Sequence, residues 1–186
     1  MTAAPFTLCA WWCASAVLGA APPPPGRVAV DAAGGMNVLV PTVGAGVNLG
    51  LPGGHGAGVR WDTHAGLAHV FTASARVRVA EGWAVGVDGA FGLFVSEELF
   101  GVELARSPFA HGFMIEPVVA HTRGRVALVA GTTVRLTNPG WQSIKLAVTV
   151  DLGPVFLRAQ ALVPLEEDTR VLGYLSMVVV GKTFGL

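Results

Sequence analysis

Apolar residues in this chain recur at every second position, and no stretch of comparable length keeps the ~3.6-residue period of an amphipathic helix. In Val43-Gly44-Ala45-Gly46-Val47-Asn48-Leu49-Gly50-Leu51 every odd position is apolar and every even one is Gly or Asn. The phase continues through Val59, Trp61, Phe71, Ala73, Ala75, Val77 and Val79, against Arg60, Asp62, His64, Thr72, Ser74, Arg76 and Arg78. Trp83, Val85, Val87, Phe91 and Leu93 alternate with Ala84, Gly86, Asp88, Ala90 and Gly92, and the pattern returns around Phe113, Val126, Ile144 and Leu157. Side chains that alternate this way belong to antiparallel strands with one apolar face and one polar or small face.

Composition narrows the choice. Of the 186 residues 52% are hydrophobic and only 13% charged, and the 12 basic residues balance the 12 acidic ones. That much apolar surface excludes disorder, and zero net charge argues against a nucleic-acid partner. Mean hydropathy is membrane-like, yet no charge-poor run reaches the ~18–20 residues of a spanning helix. Residues 1–21, apolar from Phe6 and ending in Gly19-Ala20-Ala21, resemble a secretory signal peptide, the alternative being a buried N-terminal helix. Residues 22–26 are a Pro-rich linker, and 27–186 form one barrel domain. Cys9 and Cys13 both precede that domain, which has no cysteine.

Alternation alone leaves two orientations open: a secreted soluble β-barrel that binds an apolar ligand inside, or a transmembrane antiparallel up-and-down β-barrel with its apolar face toward lipid. Three features favour the second. The apolar phase carries no Asp or Glu, and its basic residues, Arg170 and Lys182, lie in the last strand. A charge at the lipid midplane costs roughly 2–4 kcal/mol, and near the interface about 0–1. The polar phase is rich in Gly and Ala, which suits a narrow lumen. Trp61, Trp83, Phe113 and Trp141 sit near strand ends, where an aromatic girdle belongs. On this orientation the lumen collects Arg60, Asp62, Arg76, Arg78, Asp88, Glu116, Arg125, Arg135, Lys145, Asp151 and Arg158.

The chain ends Gly181-Lys182-Thr183-Phe184-Gly185-Leu186. This resembles the assembly signal of bacterial outer-membrane β-barrels, in which Gly, then a hydrophobic residue, then a terminal hydrophobic residue stand where Gly181, Phe184 and Leu186 stand here. Val179 departs from that pattern at a position usually polar, and Leu186 replaces the commoner Phe. The resemblance implies export to the outer membrane of a Gram-negative envelope. It implies lipid, lipopolysaccharide and the barrel-assembly machinery as partners, and porin-like passage of small solutes or a structural or surface-interaction role.

Such barrels have an even strand number. Six strands are expected at 83–95, 111–122, 125–137, 141–152, 155–164 and 169–186. Residues 27–79 supply four more, at 27–33, 38–51, 57–65 and 69–79, so ten strands are favoured over eight, because 57–79 as a single strand would be about twice the apolar band. Reversals are expected at Gly34-Gly35, 52–56 and 66–68. Turns are expected at Ala80-Glu81-Gly82, where parity requires three residues between Val79 and Trp83, and at Arg123-Gly124 and Gly153-Pro154. These face the periplasm, whereas 96–110, Asn138-Pro139-Gly140 and 165–168 face outward.

Chemistry-bearing patterns are few. Asp62 and His64 share a face two residues apart, similar to the Asp-x-His pair of outer-membrane proteases of the omptin type. The second carboxylate motif of that family is absent, so a hydrolase using Asp62 and His64 ranks below a non-enzymatic barrel. His121 and Ser143 would serve a lipid-modifying site only if the strands brought them together. His55, His69 and His111 lack metal-ligand spacing, and no metal or cofactor is expected. Glu97, Glu98 and Glu103, with Glu166, Glu167 and Asp168, are acidic clusters on expected outer loops, more simply solvated than cation-binding.

Overall fold

A computed structural model describes residues 23, 25–37, 40–64, 68–94, 98–99, 102–103, 112–136, 142–153, 155–164 and 177–185. The strands are β1 (Val28–Asn37), β2 (Val40–Leu51), β3 (His55–His64), β4 (Ala68–Ala80), β5 (Trp83–Phe94), β6 (Glu98–Leu99), β7 (Val102–Glu103), β8 (Gly112–Arg123), β9 (Val126–Arg135), β10 (Gln142–Asp151), β11 (Phe156–Pro164) and β12 (Met177–Gly185). Ten of them close into a single antiparallel up-and-down barrel, each beside its neighbour in sequence, and β1 seals against β12 from Ala29 opposite Gly185 to Asn37 opposite Met177. The remaining two, β6 and β7, form a small separate hairpin within the long β5–β8 connection. Among the described residues no helix is long and apolar enough to cross a membrane.

The ten-strand expectation holds: β3 and β4 are separate strands paired from Gly56 opposite Arg76 to His64 opposite Ala68. Barrel strands of nine to thirteen residues, at ~3.3 Å per residue and ~40° tilt, rise about 23–33 Å, which matches an apolar band of about 25 Å.

Several expected reversals move. Gly34 and Gly35 do not turn; they lie inside β1, opposite Val43 and Thr42 on one side and Val180 and Val179 on the other. Backbone pairing along both edges outweighs the turn preference of a Gly-Gly step. The turn before β9 is Gly124-Arg125 rather than Arg123-Gly124, because Arg123 pairs with Val126; Gly124 takes the left-handed conformation at φ +59°. At the β4–β5 hairpin Ala80 pairs with Trp83 across Glu81-Gly82, and the register shifts between Arg78 and Ala80, so Val79 is an extra residue. Parity is thereby kept, and Val79 and Trp83 both face outward as expected. A bond from Leu152 N–H to Val155 O closes the turn after β10, with Gly153 in the left-handed conformation at φ +92°; Pro154 lies outside the described residues. The signal peptide expected at 1–21, Asn138-Pro139-Gly140, Trp141 and Leu186 lie outside the described residues.

The outer surface is apolar and the inside is polar. Val43, Val47, Leu49, Val59, Phe71, Val87, Phe113, Ile115, Leu146 and Val180 are exposed on the outside. Thr42, Asn48, Asp62, Thr72, Ser74, Arg76, Asp88, Glu116, Thr133, Lys145, Arg158 and Gln160 are buried within the barrel. This excludes the soluble alternative, whose oily centre would hold an apolar ligand. An inward apolar patch does exist, but it is small: Ala84, Val118, Ala120, Val129 and Ala147 pack together on the wall from β5 to β10.

Candidate functional site

Seven of the eleven side chains expected in the lumen are there: Arg60, Asp62, Arg76, Asp88, Glu116, Lys145 and Arg158. Arg78 and Asp151 stand at the barrel end instead. Arg78 is exposed beside the 52–54 turn, its Nε donating to Ala80 O at 3.4 Å. The exposed Asp151 caps its turn by accepting from Gly153 N–H at 2.7 Å. Arg125 is exposed within the Gly124-Arg125 turn. The Arg135 side chain lies outside the described residues. The three misplaced groups are all within a residue or two of a hairpin, where alternation gives way to turn geometry.

An eighth member escaped the sequence reading. Asp31 on β1 faces inward opposite Gly46. It forms an ion pair with Arg60 Nη1 and accepts from Asn48 Nδ2 at 3.0 Å. It lies inside the strand expected at 27–33, where Val28-Ala29-Val30-Asp31 alternates over only two apolar residues.

The pairs share one device. Arg60 on β3 reaches Asp31 on β1 across Gly46 of β2, because Gly46 lies between the two in the ladder. Lys145 on β10 reaches Glu116 on β8 across β9, where Gly131 stands opposite Lys145. Arg76 lies along Gly86 of β5 and pairs with Asp88, with Nη2 donating to Oδ2 at 2.9 Å and Nη1 2.7 Å from Oδ1. A glycine in the row lets a long charged side chain lie along the wall rather than jut into the axis. Ser74 stands opposite Asp88 in the β4–β5 ladder, with Arg76 diagonal to Asp88.

Burial of these ions is deep. Lys145 and Gln160 are 0% exposed, Asp62 1%, and Arg76 and Asp88 2%. An isolated buried charge is costly, so each must be compensated. Asp62 accepts from Arg60 Nε on both oxygens, at 2.9 and 3.0 Å. Glu116 binds Lys145 and also accepts from Thr133 Oγ1 at 2.9 Å. Asp88 and Glu116 are direct cross-strand partners, a like-charge contact that would be unfavourable without the cation each holds. Arg158 on β11 donates from Nε to Thr149 Oγ1 at 3.0 Å and sits 5.4 Å over the Phe156 ring.

Among the described residues no catalytic constellation is assembled. The Asp62 carboxylate is committed to Arg60, and the His64 side chain lies outside the described residues. His121 and Ser143 are not neighbours: their partners on β9 are Leu128 and Thr133, which face opposite sides of the wall. Among the described residues no group of three His, Cys, Asp or Glu is placed to hold a metal ion. In the β6–β7 hairpin Glu98 stands opposite Glu103.

The outer surface carries the aromatics. Trp61, Phe71, Phe91 and Phe113 are successive partners across β3, β4, β5 and β8, with Phe91 and Phe113 centroids 4.7 Å apart. Trp61 also stacks on His69 and donates to its Nδ1 at 3.3 Å. Phe71 and Phe91 were not expected as girdle members; the strand register alone reveals that they complete the row. Trp83, at the opposite end of the barrel, packs 4.3 Å from His121. At the C-terminus Phe184 points outward, while Gly181 points inward, where a Cβ would lie 2.4 Å from Phe156 Cζ. Lys182 faces outward, with Nζ 5.0 Å over the Phe184 ring.

No family model matches the sequence, and no curated protein matches it either. Solved structures to which the chain is similar include two porins. One, titled "KdgM porin", is 6% identical with a TM-score of 0.44 and matches over 84% of this chain and 98% of that one. The other, a NanC porin in a rhombohedral crystal form, is 8% identical with a TM-score of 0.38 and matches over 84% of this chain and 97% of that one.

Proposed function

We propose that this chain is an integral outer-membrane β-barrel protein with a narrow lumen filled by ion pairs, serving a structural or surface-interaction role and passing small solutes to a limited extent at most. The observation that carries this reading is the inverted burial pattern: valines, leucines and phenylalanines exposed outside, with Arg76, Lys145, Asp62 and Asp88 buried inside. In water that arrangement would expose a broad apolar surface and seal charges from solvent. In lipid it satisfies both sets, and closure leaves no backbone edge unpaired. A ten-stranded barrel is only slightly wider than the eight-stranded kind that side chains alone can fill. Lipid and lipopolysaccharide are the partners of the outer face, and the barrel-assembly machinery is the partner of folding.

A second reading, passage of small solutes, draws on the inner wall of β2 and β3. There Gly44, Gly46, Gly50, Gly56 and Gly58 contribute no side chains to the lumen. Two measurements decide. Carbonate washing of membranes should leave the protein in the pellet, and recovery in the supernatant would remove the membrane reading. In planar bilayers the purified protein should give no resolved openings; steady conductance would favour passage over a filled lumen.

A further inference from the structure

At the end of the barrel that carries the 52–54, 81–82, 124–125 and 152–155 turns, the outward face is mostly aliphatic, with Leu51, Val79, Val126 and Leu152 exposed. On β8 that pattern breaks. His121 and Arg123 continue the outward phase of Phe113, Ile115 and Val119, since they stand opposite Leu128 and Val126, both exposed on the outside. Trp83, the ladder partner of His121 on β5, packs its ring 4.3 Å from the imidazole. His121 Nδ1 is buried beside Gly82 and has no hydrogen-bond partner, so Nε2 is the nitrogen left to the outside. Arg123 is exposed at the last position of β8, and its guanidinium makes no ion pair or hydrogen bond among the described residues. Two carboxylates share this end among the described residues: Asp151 accepts from Gly153 N–H in its own turn, and Glu81 makes no ion pair. Arg27, Arg78, Arg125 and Lys182 are exposed at the same end, so cations outnumber carboxylates there.

We propose that Trp83, His121 and Arg123 form a binding site for the phosphate of an anionic phospholipid in the leaflet at the turn end. This rests on the membrane reading above and adds a headgroup preference to it. The half-exposed indole sets the site at the depth of the headgroups, where tryptophan collects. The Arg123 fork can donate to two phosphate oxygens at once, and His121 lies on the same face two residues away. A zwitterionic lipid carries its own cation beside the phosphate, so the net-anionic lipid gains more from an unpaired guanidinium.

The test uses the full chain with Trp83 as its only tryptophan, the others replaced by Phe. It is refolded into vesicles of equal parts phosphatidylglycerol and phosphatidylcholine, with brominated chains on one lipid or the other, and heat-modifiable gel mobility checks that each variant is folded. Brominated phosphatidylglycerol should quench Trp83 more strongly, with a relative affinity of about fivefold, the effect of one arginine at an anionic surface. Arg123→Lys should keep the preference and Arg123→Gln should abolish it. A protein with Trp61 alone, which reports the opposite end, should be quenched equally by both lipids. Exchanging chloride for phosphate at constant ionic strength should leave the Trp83 preference intact; its loss would assign the site to free phosphate and overturn the lipid assignment. Equal quenching of Trp83 by both lipids, the same preference at Trp61, or a preference that survives in folded Arg123→Gln would each overturn the site. Absence of quenching by either lipid at either tryptophan would remove the membrane reading itself.

Discussion

A charged side chain inside a ten-stranded barrel has little room to point along the axis, so the residue opposite it in the ladder decides whether it fits. Gly44 is the sharpest case. A Cβ there would lie 2.0 Å from Asp62 Oδ1 and 2.8 Å from the Trp61 carbonyl oxygen. Neither neighbour is free to move, since Asp62 is held by both Arg60 contacts and the carbonyl belongs to the ladder. Gly44→Val should therefore destabilise the barrel by about 1–3 kcal/mol or more, the usual range for overpacking. Gly89 is the control: it faces outward, nothing lies within 4 Å of its Cβ position, and Gly89→Ala should stay within about 0.5 kcal/mol of wild type. Urea unfolding in lipid vesicles measures both; equal effects would mean that the lumen glycines are not there for clearance. The sequence displayed these glycines as a class of small residues. Which glycine serves which ion depends on register across three strands, and no local pattern carries that information.

At the scale of the strand, a period of two was legible because one face meets a single environment along the whole element, so a register slip would turn every side chain the wrong way. Strand number and the parity of the β4–β5 hairpin both followed from it. Legibility failed where the alternation carries no contrast. Ala32-Ala33-Gly34-Gly35 is small on both faces, so nothing in it marks that β1 runs on to Asn37, and only the register opposite Gly46 places Asp31 in the lumen. Phe156 is inward although aromatic, because Gly181 opposite it makes the space, and its role under Arg158 was invisible for the same reason. The orientation that alternation implies can be measured as a depth profile. Leu146 lies near the middle of β10 facing outward, and Val79 faces outward beside a turn. Leu146→Arg should cost roughly 2–4 kcal/mol in vesicles and Val79→Arg about 0–1. Two small and equal effects would mean that both residues face water. Lys182 fits the same rule, since it is outward near the chain end and turns its ammonium over Phe184 toward that end.

For the molecule as a whole, closure ties the strands to one another. Each barrel strand has a partner on both sides, and β1 against β12 completes the ring. Opening any one seam in lipid exposes two rows of unpaired N–H and C=O groups, each costing several kcal/mol, so partial opening gains nothing until the whole barrel disassembles. The lumen strengthens this coupling, because its ion pairs join strands that are not neighbours: β1 to β3 through Asp31 and Arg60, and β8 to β10 through Glu116 and Lys145. Unfolding should then be one event seen alike from either end. Trp61 and Trp83 report on opposite ends of the barrel, Trp61 near the end of β3 and Trp83 at the β4–β5 turn. Variants that keep only one of the three tryptophans of residues 27–186, with Phe in place of the others, should lose native fluorescence at the same urea concentration. Midpoints that differ between the Trp61-only and Trp83-only proteins, each corrected for its own stability by gel mobility, would show that the ends melt separately and that ring closure does not govern the stability of the barrel.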